Sequence, residues 1–292
     1  MARCWLLLAL LPGVASAHAP GAEAAPHAWP WNTEPWLLAL MAASALFYAR
    51  GAWRLWAHAG WGRGIAPRTV ASFACGWLAL LVALVSPLDA LGGLLFSVHM
   101  VQHELLMVVA APLLVLGRPL AAWTWAFDAS GRRRIARAVS ARWLAATWSS
   151  LTEPAMAWSL HALALWLWHV PVLFDAAIRH EGWHVLQHGS FLASALLFWW
   201  TVLGTDPRAT RGAGWTVLSL FTTMVHTALL GALLSLSPTP WYAAYASSTA
   251  ALGLAALEDQ QLGGLIMWVP TGLAYLIAAL ALLGRLLTRQ RA

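Results

Sequence analysis

The chain has 292 residues, 61% of them hydrophobic and 10% charged, with a mean hydropathy of +0.67. That much apolar surface cannot be hidden inside a soluble domain, which excludes soluble enzymes and soluble binding modules and indicates an integral membrane protein. The net charge of +6 rests on 17 arginines with no lysine at all; they lie between apolar runs rather than on a basic domain, so they speak for a membrane surface and against nucleic acid.

In chain order, residues 1–17, "MARCWLLLALLPGVASA", read as a cleaved signal peptide. Arg3 supplies a positive start, Trp5 to Leu11 a short apolar core, and Ala15-Ser16-Ala17 a small-residue cleavage site. The core is too short for a span, which needs about 20 apolar residues. Residues 18–35 form a periplasmic N-terminal linker with Pro20, Gly21, Pro26 and Pro30, in which His18 and His27 are a minor metal-binding lead. The two cysteines, Cys4 and Cys75, make no disulfide framework. Residues 36–292 then read as a membrane domain with apolar runs near 36–56, 69–86, 97–116, 153–172, 184–203, 215–236 and 258–284. The fold expected is all-α, a bundle of seven transmembrane helices.

Arginine content orients the bundle. Arg50, Arg54, Arg63 and Arg68 follow the first run, and Arg118, Arg132, Arg133, Arg134, Arg137 and Arg142 the third. Arg208 and Arg211 follow the fifth, and Arg285, Arg289 and Arg291 the seventh, whereas the opposite loops hold only Arg179. The positive-inside rule then sets a periplasmic N-terminus and a cytoplasmic C-terminus. In the longest loop, Gly117 to Leu151, "GRRRIARAVSARW" reads as a basic amphipathic helix on anionic membrane lipids.

Given that orientation, five histidines share the outer leaflet. His99 and His103 open the third run, His169 closes the fourth before Pro171, and His184 and His188 open the fifth. Each i, i+4 pair lies on one helical face, and Met107 continues the first stripe by a turn. Ionisable residues at such depth are costly and point to function. Single histidines near an interface also serve as plain helix-end partners, but five on one side from three helices favour a metal site. Imidazole with thioether suits copper, chiefly Cu(I), or zinc, and the sulfur tilts the choice to copper. His161 and His226 lie deeper, either as hydrogen-bonding core residues, as steps of an inward ion path or as ligands of a second site. The seventh run opens with "LEDQQLGGLIMW": Asp259 is a candidate second-shell partner for an imidazole, Met267 a candidate extra sulfur, and Gly263 and Gly264 permit close helix approach.

"HEGWH", His180 to His184, is a literal HExxH, the zinc-protease pattern. Gly182 inside it and the loop position of His180 argue for a chance match. Haem is a stronger rival, with His103 and His188 as axial ligands, yet i, i+4 pairs fit chelation of a bare ion better.

Four segments, "HMVQHELLMVVAAPLLVLGRP" from His99, "WLWHVPVLFDAAI" from Trp166, "HVLQHGSFLASALLFWW" from His184 and "EDQQLGGLIMW" from Glu258, resemble the CtaG family of bacterial cytochrome c oxidase assembly factors. The resemblance covers most of the chain after the leader. It implies a non-enzymatic, multi-pass protein of the bacterial inner membrane, a chaperone that binds copper at the periplasmic side and assists its insertion into the oxidase. Its partners would be an oxidase subunit, a periplasmic copper donor and membrane lipids. The resemblance implies His99, His103, His169, His184 and His188 as the copper-handling set. A copper permease and a haem-binding membrane redox protein remain the alternatives.

Overall fold

The computed structural model describes residues 30–203 and 213–290. The expected signal peptide, His18, His27, Arg208, Arg211 and Arg291 lie outside the described residues. The described residues form helices α1 (Pro35–Ala59), α2 (Pro67–Leu84), α3 (Pro87–Gly92) and α4 (Phe96–Glu104), which runs through a π-helical segment (Leu105–Ala110) into α5 (Ala111–Leu116). There follow α6 (Pro119–Trp125), α7 (Ala129–Val139), α8 (Arg142–Leu151), α9 (Pro154–Trp168), α10 (Pro171–Arg179), α11 (Glu181–Leu203) and α12 (Ala213–Ser235). A 3₁₀ turn (Ala243–Tyr245), α13 (Ala246–Ala251) and the long α14 (Ala256–Gln290) complete the order. Proline stands in the first turn of α1, α2, α3, α6, α9 and α10, where its missing N–H costs nothing and its fixed φ favours helix entry.

Among the described residues, six helices are long and apolar enough to cross a membrane: Pro35–Ala59, Pro67–Leu84, Phe96–Leu116, Glu181–Leu203, Gly214–Ser235 and Ala256–Gly284. The run read as one span over 153–172 differs. It is broken into α9 and α10, which meet at 77°. The cause is local: Pro171 forces Val170 out of the helical region, to φ −63° and ψ 125°, so the chain turns immediately after His169. The 15 residues of α9 reach only about 22 Å at ~1.5 Å per residue, short of a hydrocarbon core of about 30 Å. The basic loop also divides, with α7 ending at Val139 and α8 starting at Arg142. Arg132 of α7 packs its guanidinium 4.1 Å from the Trp125 ring.

The helices pack as α12 along α14, α14 against α4, α11 against α9 and α5, α2 against the π segment and α5, and α1 against α6. The span Phe96–Leu116 is 50% buried, whereas Ala256–Gly284 is 17% buried. The former is thus the enclosed helix of the bundle, and the latter lies mostly on its outside. Two glycines let α12 and α14 meet backbone to backbone. A Cβ added to Gly264 would stand 2.7 Å from the Gly231 carbonyl oxygen and 2.8 Å from the Ser235 amide nitrogen. On its other side α14 receives α4, with the Phe96 ring seated on Gly263. Small residues at such crossings permit the close van der Waals contact on which membrane helices depend.

The two ends of the bundle differ in chemistry. Arg50, Arg54, Arg63, Arg68, Arg118 and the arginines of α7 and α8 lie where α1 ends, α2 begins and α5 leads into α6. The loops of the opposite end join α2 to α4, α9 to α11 and α12 to α14, and all five histidines singled out by sequence sit there. A Gly264→Ala substitution has no room without a shift of one backbone. It is expected to destabilise the protein by about 1–3 kcal/mol as overpacking does, read as a lower Tm in detergent; an unchanged Tm would contradict this crossing.

Candidate metal centre

A helix beginning inside the bundle leaves its first amide hydrogens without intrahelical partners. At α4 the residue before the helix is Leu95, whose side chain cannot cap. Asp259 of α14 supplies the acceptor from 163 positions away: its carboxylate accepts from Phe96 N at 2.6 Å, Ser97 N at 3.1 Å and Ser97 Oγ at 2.5 Å. A buried carboxylate at a helix start is favoured by both hydrogen bonding and the helix dipole. Asp259 therefore touches the backbone of the histidine-bearing helix and not an imidazole; it fixes where that helix begins.

The loop after α12 covers the same end. Tyr245 Oη donates to Gly92 O at 2.9 Å, Ser248 Oγ to Leu94 O at 2.8 Å, and Tyr242 Oη to His169 O at 3.1 Å. Phe96, Phe174, Tyr242 and Tyr245 pack there as an aromatic cap. Burial, with Asp175 nearby, pushes the Tyr242 phenol well above its ordinary pKa, so it remains a donor at any physiological pH.

Beneath the cap the histidines converge. His99, His103 and His188 each offer a nitrogen, and these three atoms lie within 4.8 Å of one another. The three residues are buried, at 0%, 1% and 7% exposure. Ring centroids are 4.3 Å apart for His99 and His103, 5.3 Å for His99 and His188, and 5.2 Å for His103 and His188. His184, half-buried, points Nε2 at His188 Nε2 across 3.1 Å. Two nitrogens on one tetrahedral ion stand about 3.3 Å apart for metal–nitrogen bonds of about 2.0 Å, so this pair already has a chelating spacing.

His169 lies one layer away, its ring 6.2 Å from that of His103. Its Nδ1 donates to Leu165 O at 2.6 Å, which leaves Nε2 as the lone-pair nitrogen, buried and without a partner. Neither nitrogen of buried His103 has a hydrogen-bond partner. An unpaired buried polar group costs about 1–3 kcal/mol, and coordination of an ion would remove that cost. The donor set therefore fits a metal. Gln187 stands beside it with Oε1 3.3 Å from His99 Nε2.

Other residues singled out by sequence fall elsewhere. Met107 is buried in the π segment, which precedes Pro112, whose ring would press on the Val108 carbonyl of a regular α-helix. Met267 is buried in the cluster around Phe96 and Met100. His161 is a satisfied core histidine, Nδ1 facing Ser194 Oγ at 3.2 Å and Nε2 facing Tyr275 Oη at 3.5 Å. His226 packs against Trp158, with ring centroids 5.9 Å apart. His180 is exposed and extended between α10 and α11, off the helix that carries His184. HExxH therefore does not form a zincin helix here.

One residue escaped the sequence reading. Asp89 joins His184 and His188 in a second group whose ligand atoms lie within 4.8 Å of one another. "SPLD" reads as an ordinary helix start, with serine as cap and aspartate in the first turn. The available signal was its place ten positions before His99, in the segment that leads into the histidine-bearing helix.

The model of the family described as cytochrome c oxidase caa3 assembly factor (Caa3_CtaG) matches residues 46–289. Uncharacterized proteins of Mycobacterium bovis and Mycobacterium tuberculosis are each 32% identical over 221 residues, covering 70% of this chain and 32% of the relative. One of Mycobacterium leprae is 29% identical over 222 residues, covering 72% of this chain and 33% of the relative. The chain thus spans about a third of the length of these curated relatives. No solved structure matches it.

Loss of the carboxylate at the α4 start leaves buried amides unpaired. Asp259→Ala is expected to cost about 2 kcal/mol or more, seen in thermal unfolding of purified protein. Wild-type stability in that variant would contradict the capping role.

Proposed function

The chain belongs to the family of cytochrome c oxidase caa3 assembly factors, and on that premise we propose that it binds copper at the histidine end and hands it to an oxidase subunit. The carrying observation is that His99, His103 and His188 stand buried with their ligand atoms within 4.8 Å, and His103 has no other partner for either nitrogen. His169 and His184 flank this triad and complete the copper-handling set. Three imidazoles without a charged ligand suit Cu(I), with Met107 and Met267 too enclosed in apolar clusters to be the first choice of donor.

In this reading the membrane is crossed seven times, the bent pair α9 and α10 serving as the seventh crossing. Arginine-rich loops face the cytoplasm of an inner membrane, the histidine end faces the periplasm, and residues 1–17 are a cleaved leader before the linker. Copper is cargo. It arrives from a periplasmic donor and leaves by exchange of one imidazole at a time for a ligand of the oxidase, so no covalent chemistry is required and the role is that of a chaperone, not an enzyme. Lipids contact α7, whose arginines are exposed, or nearly so, on a helix with no buried residue.

The alternatives have less support. A permease needs an inward ladder of free ligands, and His161 is already engaged by Ser194 and Tyr275. A haem needs a flat slot between axial rings, and the rings of His99, His103, His184 and His188 approach to between 4.1 and 5.5 Å. Purified protein should hold about one copper per chain with nitrogen-dominated X-ray absorption, and His103→Ala plus His188→Ala should lose it, since each ligand removed weakens binding by at least about ten-fold. Copper content unchanged in the double variant would refute the site.

A further inference from the structure

We propose that the cluster holds two copper stations, an outer one formed by Asp89, His184 and His188 and an inner one formed by His99, His103 and His188, with His188 common to both. The inference deepens the copper-handling reading and rests on it. Both groups satisfy the same geometry, with ligand atoms within 4.8 Å of one another. They differ in exposure and in chemistry. Asp89 and His184 are half-buried, whereas His99, His103 and His188 are at most 7% exposed. The outer group contains a carboxylate and the inner group only imidazoles.

Asp89 is held for this role rather than spent on its own helix. In the S-x-x-D pattern of Ser86 to Asp89, the aspartate would ordinarily reach back to the serine amide. Here Ser86 Oγ accepts from Leu88 N at 3.2 Å, while Asp89 turns both oxygens away. Its Oδ2 accepts from Asn32 Nδ2 at 3.0 Å and its Oδ1 from Gln102 Nε2 at 2.7 Å. Gln102 lies between His99 and His103 on α4 and also donates to Ala83 O at 2.7 Å. One amide thus ties the carboxylate to the helix that carries His99 and His103. Each carboxylate oxygen keeps a lone pair for an ion, and amides that hold a ligating carboxylate are the usual outer shell of a metal site.

A charged, half-exposed ligand offsets the loss of hydration when a cation first leaves water, which neutral imidazoles alone do less well. Transfer inward then exchanges two ligands for two. The bonds to Asp89 and His184 break as those to His99 and His103 form, and the bond to His188 persists, so the ion is never free. No electron changes hands. Shared use of His188 limits the pair to one ion at a time.

The test follows Cu(I) leaving its coloured bicinchoninate complex for the detergent-purified full chain under anaerobic conditions. Asp89→Asn keeps the side-chain size, and Asn32→Ala removes the amide that holds Asp89 Oδ2 without touching any histidine, so one variant covers for the other if folding suffers. Both should slow uptake by about ten-fold or more, the scale of ligand-shell losses, while final occupancy stays near one copper with an unchanged X-ray absorption spectrum. Uptake at the wild-type rate in both variants would overturn the outer station yet leave the triad standing. Loss of final occupancy in either would also overturn it, by making the Asp89 carboxylate part of the resting site. Absence of copper from the wild-type chain would remove the copper reading itself.

Discussion

The arrangement depends on where α4 begins. A helix start buried among other helices must find acceptors for its first amides, and Asp259 provides them from α14 through three short contacts to Phe96 and Ser97. Two residues later the same helix presents His99, and one turn further His103. The depth and rotation of both imidazoles follow from that anchored start. The glycine crossings of α14, with Gly263 under Phe96 and Gly264 against Gly231, let the anchoring helix come close enough for a short side chain to reach.

Around that anchor the chain separates two chemistries by distance along the helices. Arginines collect at one end, where Arg50 donates to Ala126 O at 2.9 Å and Arg132 stacks on Trp125. Imidazoles, amides and Asp89 collect at the other, roofed by Tyr242 and Tyr245. Between them lies an apolar interior in which polar residues are mostly paired, as Trp199 is with Met107 O and His161 with Ser194. Against this background the unpaired nitrogens of His99, His103 and His169 gather at one end of the bundle, while Trp158, Thr223 and His226 leave further buried polar atoms unpaired in the interior.

Much of this was legible in the sequence. Long apolar runs located six helices, the i, i+4 histidine pairs identified α4 and α11 as carriers of the clustered imidazoles, and Gly263–Gly264 announced a close crossing. What remained hidden depends on contacts between distant segments. Composition over 153–172 reads as one span because hydropathy does not register the turn that Pro171 imposes after His169. Asp259 reads in the sequence as a partner for an imidazole rather than as the cap of α4, because the amides it caps are more than 160 positions away. Asp89 was passed over since local patterning gives an aspartate at a helix start an ordinary task. The π segment likewise follows from Pro112 acting on a helix already enclosed by α2 and α11.

The account stands on imidazoles from α4 and α11 meeting at one point. Anomalous diffraction at the copper edge from crystals loaded with Cu(I) measures that point directly. The account predicts a single strong peak about 2 Å from nitrogens of His99, His103 and His188. A peak at the arginine end, or one beside His161 and His226 with none at the triad, would contradict it.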